Sequence, residues 1–186
     1  MKVAINGFGR IGRVTSRLLL QRSDIELVAV NDLTDTRTLA HLFKYDSVHG
    51  VFGGEVSNDE AHLILGGKRI KAYAAKDPAA LPWKELGIDI VIESTGHFLT
   101  REAASAHLKA GAKRVILSAP AKDADIPSVV LGVNDHILKG DETIISNASC
   151  TTNCAAPMIM AIHDLCHIED GFITTVHSFT GDQRLH

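Results

Sequence analysis

The chain has 186 residues, enough for one full domain or for one domain and part of another. Hydrophobic residues make up 45% and charged residues 22%, which is typical of a globular protein with a sizeable core. The net charge of −3 gives no reason to expect nucleic acid or an anionic membrane as a partner, and no apolar run approaches the roughly 20 residues that cross a bilayer.

The first forty residues have the pattern of a strand, a glycine-rich turn, a helix and a second strand. Strands are predicted for KVAIN (2–6) and ELVAVN (26–31), with a helical pattern after NGFGRIGR. The turn contains Gly7, Gly9 and Gly12. This Gly-x-Gly-x-x-Gly spacing, between a strand and a helix, predicts a dinucleotide-binding site.

Each glycine of this turn has a physical task. Gly7 allows the tight turn, Gly9 lacks the Cβ that would keep a pyrophosphate off the backbone, and Gly12 lets the helix pack close to the strand. The free N–H groups at the helix start, near Arg10 and Ile11, would then meet the phosphate charge. An ordinary βα turn is the alternative, and the matching strand, helix and following acid disfavour it.

The acid that follows the second strand predicts which dinucleotide binds. Asp32 lies 20 residues after Gly12, where its carboxylate can accept hydrogen bonds from both ribose hydroxyls. The same charge would repel a 2′-phosphate, so NAD is predicted rather than NADP. Arg37, a little downstream, argues instead for NADP.

The segment from 34 to 83 has a less regular pattern. TRTLAHLFKYDS predicts a helix that leads into a loop, while HLILGG and KRIKAYA predict two strands joined by a hairpin at Gly66-Gly67. Lys76 follows in a turn. It either reaches a cofactor phosphate or is a solvated lysine.

The later strands predict the fold class. IDIVIEST (88–95) and KRVILSAP (113–120) are buried-strand patterns separated by a helix, and SVVLGV and TIISN supply two more. Such Val- and Ile-rich runs between helices predict an α/β fold with a Rossmann-type, doubly wound parallel sheet. Ligands bind beyond the carboxyl ends of such strands. Thr95, Gly96 and Ser118 are therefore predicted to line the nicotinamide side, with simple strand-ending turns as the alternative.

Three cysteines without C-x-x-C spacing argue against a disulfide framework or a metal site and predict a reducing, cytoplasmic setting. In ASCTTNC, Ser149 is a plausible N-cap that places Cys150 in the first turn of a helix. The positive end of the helix favours a nucleophilic thiolate there. Cys154 is predicted to be a buried core residue, with a second thiol of the site as the alternative, and Cys166 is predicted to pack in the core.

A base for this cysteine is predicted on the next element. GFITTVHSF predicts a strand from Gly171 with His177 at its far end. A histidine in a strand is more often structural, so the prediction depends on the combination of cofactor fold, exposed thiol and histidine.

Five segments carry a family resemblance: NGFGRIGR, KYDSVHG, ESTGHF, SNASCTTNCAAP and TTVHSFTGDQR. Together they resemble the phosphorylating glyceraldehyde-3-phosphate dehydrogenases over the whole chain. The resemblance implies an NAD-binding Rossmann domain over 1–147 and the beginning of an α+β catalytic domain over 148–186. It also implies a glycolytic enzyme that takes a small-molecule substrate and inorganic phosphate and forms a homo-oligomer, a tetramer in the family.

The resemblance also implies residue roles. Cys150 would attack the aldehyde of D-glyceraldehyde 3-phosphate to form a hemithioacetal, and His177 would accept a proton while hydride passes to NAD. Inorganic phosphate would then release 1,3-bisphosphoglycerate from the thioester. Ser149, Thr151 and Thr180 match positions that hold the two phosphate groups.

Two other functions stay open from the sequence. One is an NAD-binding module without catalysis, and the other is an erythrose-4-phosphate dehydrogenase, because those relatives share ASCTTNC. The family's chains are longer than this one, so we expect the 186-residue chain by itself to be inactive or nearly so.

Overall fold

The computed structural model describes residues 1–178. These residues form eight strands: β1 (Lys2–Asn6), β2 (Glu26–Asn31), β3 (Val56–Asn58), β4 (His62–Leu65), β5 (Lys68–Tyr73), β6 (Ile90–Glu93), β7 (Arg114–Leu117) and β8 (Ile144–Ser146). They also form five α-helices: α1 (Arg10–Leu19), α2 (Thr36–Lys44), α3 (Trp83–Leu86), α4 (Arg101–Lys109) and α5 (Cys150–Cys166).

The eight strands form one sheet in the order β3-β4-β5-β2-β1-β6-β7-β8. The six strands from β5 to β8 in this order run parallel, and the hairpin strands β3 and β4 add an antiparallel edge. Strands β2 to β5 therefore lie on one side of β1, and strands β6 to β8 lie on the other. This confirms the predicted α/β fold with a Rossmann-type sheet, and it places a ligand-binding edge beyond Asn6, where the strand order reverses.

The central strands are buried on both faces, as their apolar runs predict. Ile5 packs with Phe43 of α2 on one face, whereas Ala4 and Ala29 pack with Trp83 on the other. Full burial of each large side chain stabilises the fold by about 1.5–3 kcal/mol. The sheet is therefore a firm base for the loops at its carboxyl edge.

The predicted hairpin at Gly66-Gly67 is confirmed. Leu65 pairs with Lys68 across the turn, and both glycines have positive φ, +58° and +78°. This is the backbone of a type I′ turn, which matches the twist of antiparallel strands.

The prediction of a strand at SVVLGV is wrong. Ser128 makes a single parallel bridge to Ser146, after which the chain turns away. The side chain of Asn134 is the physical reason, because its Oδ1 accepts the Val130 N–H at 2.7 Å and its Nδ2 donates to the Ser128 carbonyl at 2.9 Å. These bonds replace the ladder that a strand would need.

The prediction of a strand from Gly171 to His177 is also wrong. This segment is exposed and has no strand assignment, because no described strand lies beside it to supply a hydrogen-bonded ladder. α5 precedes it and buries none of its residues. Within the described part of the chain, no helix is both long and apolar enough to cross a membrane.

Candidate functional site

A cleft of about 370 Å³ opens at the carboxyl ends of β1, β2 and β6. Five residues predicted to bind the cofactor line it: Gly7, Gly9, Asp32, Lys76 and Thr95. Seven further residues complete its wall: Asn6, Asn31, Leu33, Ala75, Ser94, His97 and Phe98. We call this space the Asp32 cleft.

The carboxylate of Asp32 is held in one orientation by the backbone. Its Oδ2 accepts the Phe8 N–H at 2.8 Å, and its Oδ1 accepts the Thr34 N–H at 3.0 Å. Each oxygen keeps a further lone pair for a ligand hydroxyl. Arg37, the residue that argued for a 2′-phosphate, is exposed on α2 and does not line this cleft.

The glycine turn divides into two positions required by packing and one that faces open space. A Cβ on Gly7, whose φ is +90°, would lie 2.6 Å from the Thr95 nitrogen, and a Cβ on Gly12 would lie 2.2 Å from the Gly7 carbonyl oxygen. A Cβ on Gly9 would meet no heavy atom within 4 Å. The backbone at Gly9 is therefore open to a ligand, as the sequence predicts.

The start of α1 has no side-chain cap. Its N-cap is Gly9 and its first turn contains no acidic residue. The other described helices of nine residues or more have the N-caps Asp35, Thr100 and Ser149, whose side chains each accept a backbone N–H. The N–H groups and positive dipole end of α1, from Arg10 onward, therefore fit an anionic ligand such as a pyrophosphate.

Arg13 stabilises the glycine turn through a hydrogen bond to its backbone. Its Nη1 donates to the Phe8 carbonyl at 3.0 Å. Burial is the main influence on the pKa of this guanidinium and lowers it, while Asp46 and Asp32 act in the opposite direction. A partly desolvated cation therefore lies next to the glycine turn.

A second cleft, of about 350 Å³, contains the predicted nucleophile. It is lined by Ile11, Thr15, Ile92, Ile116, Ser118, Asn147, Ala148, Ser149, Cys150 and Asn153. We call it the Cys150 cleft. Gly9 lines the Asp32 cleft and Ile11 lines the Cys150 cleft, so the two spaces lie on either side of the start of α1.

The residues predicted to line the nicotinamide side are divided between these spaces. Thr95 lies in the Asp32 cleft, and Ser118 lies in the Cys150 cleft. Gly96 lines neither of the two. The residues that follow the strand ends therefore line both clefts rather than one.

The predicted cap at Ser149 is confirmed. Its Oγ accepts the Thr152 N–H at 2.9 Å, and Cys150 is the first residue of α5. The thiol of Cys150 is free and exposed. The structure therefore places an exposed sulfur in the first turn of a 17-residue helix.

The turn before this cysteine is fixed by polar side chains. Ala148 has a positive φ of +54° and its N–H donates to Ser146 Oγ at 3.0 Å. Asn153 Nδ2 donates to the Asn147 carbonyl at 2.7 Å. A left-handed alanine costs about 1–2 kcal/mol, and such strain is typical of positions that orient a functional group. Here the group that follows is Cys150.

The predicted base does not contact the predicted nucleophile. His177 Nε2 lies 3.0 Å from Thr151 Oγ1, and among the described residues no hydrogen bond joins His177 to Cys150. The structure therefore brings His177 to the first turn of α5 but not to the sulfur. Thr180, predicted to bind phosphate, lies outside the described residues.

The predicted burial of Cys154 and Cys166 is wrong. Both thiols are free and exposed, because α5 buries no residue. An apolar helical pattern predicts that a face will be covered, but the covering partner has to come from elsewhere in the fold. Neither cysteine lines the Cys150 cleft.

The sequence did not predict a row of buried polar residues in and behind the wall of the Asp32 cleft. Asn6, Asn31, Glu93 and His107 are all buried. A signal was present, since KVAIN and ELVAVN both end in asparagine and IDIVIEST places an acid in an apolar run. Buried polar residues at strand ends are retained only with hydrogen-bond partners, so they indicate a site or a network.

Two family models match the chain. One is described as the NAD-binding domain of glyceraldehyde 3-phosphate dehydrogenase and matches residues 1–101, and the other as its C-terminal domain and matches residues 149–186. The first covers more than half of the chain.

Curated relatives match along the whole chain. The glyceraldehyde-3-phosphate dehydrogenase of Thermotoga maritima is 59% identical over 186 residues, which is 99% of this chain and 56% of the relative. The enzyme of Geobacillus stearothermophilus is 56% identical over 100% of this chain and 55% of its own length. That of Clostridium pasteurianum is 54% identical over 98% and 54%, respectively. The chain thus spans about half the length of the curated relatives it matches.

Proposed function

The chain belongs to the glyceraldehyde 3-phosphate dehydrogenase family, and on that premise we propose that it binds NAD and serves the oxidative phosphorylation of D-glyceraldehyde 3-phosphate. One observation carries the proposal. The uncapped start of α1 lies between a cleft with an oriented carboxylate, Asp32, and a cleft with an exposed helix-start thiol, Cys150. A dinucleotide that crosses this turn would have its two halves in the two clefts.

We propose that the residues of the Asp32 cleft hold the adenosine half of NAD. The oriented Asp32 carboxylate would accept from the ribose hydroxyls, and the open backbone at Gly9 would let the pyrophosphate reach the N–H groups of Arg10 and Ile11. Lys76 would add a positive charge, and Thr95 a polar wall. Bound NAD would supply the hydride acceptor.

Cys150 is proposed as the nucleophile. Its sulfur would form a bond to the aldehyde carbon, giving a hemithioacetal whose oxygen takes up a proton. Loss of the hydride and that proton would leave a thioester on Cys150. Phosphate oxygen would then attack the thioester carbon, and the C–S bond would break to release the acyl phosphate and the thiolate. The helix-start N–H groups favour the charged forms in these steps.

His177 is proposed as the base that receives the hydroxyl proton. Support comes from its position within hydrogen-bond reach of Thr151, in the same helical turn as Cys150. Ser149, Thr151 and Thr180 are proposed to hold the phosphate groups. Because His177 contacts Thr151 rather than the sulfur, we expect the 186-residue chain alone to turn over slowly or not at all.

The remaining assignments follow from the same premise. Residues 1–147 are proposed as the NAD-binding unit and residues 148–186 as the beginning of the catalytic domain, and the start of the second family match at 149 supports this boundary. Three free cysteines suit a reducing compartment, and we propose the cytoplasm. A homotetramer is proposed from the family alone.

An NAD-binding module without catalysis is the second candidate. The polar residues of the Asp32 cleft are held by buried partners, whereas His177 lies on an exposed segment and, among the described hydrogen bonds, makes one with Thr151 and none with Cys150. Erythrose 4-phosphate as the substrate is a third candidate. Competition between the two aldehydes in a steady-state assay would separate it from glyceraldehyde 3-phosphate.

Calorimetric titration with NAD and NADP tests cofactor binding directly. We expect the wild-type chain to bind NAD and to bind NADP more weakly, because the Asp32 carboxylate repels the 2′-phosphate. Asp32→Asn should narrow the difference between the two dinucleotides. Equal affinities in the wild-type chain would contradict the assignment of Asp32.

Alkylation by iodoacetamide tests the thiol and separates the enzyme from the module. Cys150 and Cys166 are the first and last residues of the same helix, and both thiols are free and exposed. The helix dipole should make Cys150 react about two- to fivefold faster at pH 7, corresponding to about 0.3–1 kcal/mol. Peptide mass spectrometry gives both rates in one sample. Equal rates would favour the module.

A further inference from the structure

Glu93 is a buried acid that no step of the proposed chemistry uses. It ends β6 with 1% of its surface exposed, next to the Asp32 cleft but not in its wall. Its Oε2 lies 2.6 Å from Asn6 Nδ2 and 3.0 Å from His107 Nε2. Its Oε1 accepts from both the backbone N–H and the hydroxyl of Thr95.

Hydrogen-bond directions can be assigned from one end of this network. The Ala75 N–H donates to Asn31 Oδ1 at 2.8 Å, which identifies that atom as the amide oxygen and the other as the nitrogen. The nitrogen donates to the Ala75 carbonyl at 2.9 Å and to Asn6 Oδ1 at 2.7 Å. Asn6 therefore turns its own Nδ2 toward Glu93, and an N–H donor reaches Oε2 from this side.

The other end gives the same result. Trp83 Nε1 can only donate, and it donates to His107 Nδ1 at 3.0 Å. Nδ1 therefore carries no proton, and the neutral ring has its proton on Nε2. That N–H points to Glu93 Oε2, so a second donor reaches the same oxygen.

The remaining oxygen is also surrounded by donors. Thr95 Oγ1 accepts the His97 N–H at 3.1 Å and can donate its own proton to Glu93 Oε1. Three of the four contacts of the carboxyl group, those from Asn6, His107 and the Thr95 backbone, are thus N–H donors, and the Thr95 hydroxyl can be the fourth donor. A carboxylate can accept from all four at once.

We propose that Glu93 is a positioning residue for cofactor binding: its buried carboxylate orients Asn6 and Thr95, two residues in the wall of the Asp32 cleft. The inference rests on the proposed binding of NAD. Through Asn6 and Asn31 the same network reaches Ala75, which precedes Lys76 in the wall. One carboxylate thereby sets the mutual position of the ends of β6, β1 and β2.

The glutamine variant at this position is the primary test. Glu93→Gln keeps the size of the side chain but turns one acceptor into an NH₂ group. That group must then face either the two N–H donors of Asn6 and His107 or the backbone N–H of Thr95, so at least one N–H loses its acceptor. We expect the affinity for NAD to fall roughly ten- to hundredfold in calorimetric titration.

ADP-ribose locates the effect within the cofactor. Asn6 and Thr95 line the Asp32 cleft and not the Cys150 cleft, so the loss should be the same for ADP-ribose, which lacks the nicotinamide, as for NAD. Val91→Ala is the matched control, because Val91 is a fully buried residue of the same strand with no polar side chain. It should lower the unfolding midpoint and leave both affinities unchanged.

A pair of variants at His107 keeps the inference testable if the glutamine variant does not fold. His107 is fully buried and lines neither cleft. His107→Leu removes the donor to Glu93 and should weaken ADP-ribose binding roughly fivefold, whereas His107→Gln keeps an N–H donor and should restore most of the affinity. If His107 only filled space in the core, His107→Gln would not bind ADP-ribose more tightly than His107→Leu.

Tryptophan emission gives a readout that does not depend on a ligand. Trp83 is the one tryptophan in the 186 residues, and its indole N–H donates to His107 Nδ1 at 3.0 Å, which links it to the network around Glu93. Its emission should change in Glu93→Gln. A wild-type chain that binds neither NAD nor ADP-ribose overturns the proposed function. Normal wild-type binding with unchanged affinity and emission in Glu93→Gln overturns the positioning role alone.

Discussion

Residues 1–147 and the α5 segment after them hold their site residues in different ways. The residues around the Asp32 cleft are tied to a buried polar network and a core with large side chains such as Trp83 and Phe43. α5 buries no residue, and Cys150 is oriented by the Ser149 cap and the turn at Ala148. The Asp32 cleft is thus built by tertiary packing, whereas the start of α5 at Cys150 is built by local hydrogen bonds.

This difference shows which properties a segment can hold by itself. A helix cap and a tight turn need only neighbouring residues, so they orient Cys150 without a core beneath it. Orienting Asn6 and Thr95 needs groups from separate strands and from α4, which only a packed sheet brings together. We therefore expect substitutions to change global stability in the first region and local properties in the second.

Loss of a large side chain should give the greatest contrast between the regions. Trp83→Ala removes a fully buried side chain and should lower the free energy of unfolding by about 3–5 kcal/mol. Met158→Ala on α5 removes a side chain that is 55% exposed and should change it by less than about 0.5 kcal/mol. Urea denaturation measures both, and similar losses would show that α5 is packed against the rest of the chain.

Substitution of alanine for Gly12 and for Gly9 should separate an effect on core packing from an effect on ligand binding. Gly12→Ala places a Cβ 2.2 Å from the Gly7 carbonyl oxygen and should cost about 1–3 kcal/mol of stability. Gly9→Ala meets nothing within 4 Å and should cost less than about 1 kcal/mol. Gly9→Ala should nevertheless weaken NAD binding, because its Cβ points into the space left for the ligand. Unchanged NAD affinity in Gly9→Ala would be evidence against that path.

Removal of two helix caps should destabilise the two helices equally but should change the global unfolding midpoint by different amounts. Thr100 caps α4 by accepting the Ala103 N–H, and Ser149 caps α5 by accepting the Thr152 N–H. Each alanine variant should cost its own helix about 1 kcal/mol. Thr100→Ala should lower the global unfolding midpoint because α4 packs on the sheet, whereas Ser149→Ala should only speed amide exchange in the first turn of α5. Equal shifts of the global midpoint would contradict this.

The smallest effect on stability is expected from a change of pH that titrates Asp46, in the loop after α2. Asp46 accepts the backbone N–H groups of His49 and Val48, which lowers the pKa of its carboxyl to about 2. The unfolded-state pKa is near 3.9. The charged form therefore stabilises the fold fully above about pH 4, and this contribution is lost as the pH falls through about 2.

Asp46→Asn is the control for that titration, because its amide oxygen can keep the same acceptor position without the charge. Thermal unfolding midpoints of the two proteins should differ above about pH 4 and converge as the pH approaches 2. A difference that stays constant over this range would show that the carboxylate charge of Asp46 does not contribute.

Local signals predicted much of the fold correctly. The glycine turn, the Gly66-Gly67 hairpin and the Ser149 cap depend on residues close together in the chain, and the structure has all three. The elements that were missed or wrongly assigned depended on partners. Strand β3 and helix α3 are too short to show a period, and the segments at 128–133 and 171–177 have strand composition without a ladder.

The two clefts show the same division. The sequence predicted Gly9, Asp32 and Cys150 for a site, because each has a motif or a helix end that determines its chemistry. It did not predict Glu93 and His107, since a buried acid and a buried imidazole acquire a role only when strands distant in sequence bring donors to them.

The sequence by itself determined the α/β class, the glycine turn and the capped cysteine, because each follows from periodicity or from hydrogen bonds between near neighbours. The tertiary structure alone decided which residues share a cleft, which polar groups are buried and whether a strand-like segment finds a strand. Those outcomes depend on contacts between distant segments, and the free energy of such contacts comes from the packed sheet as a whole.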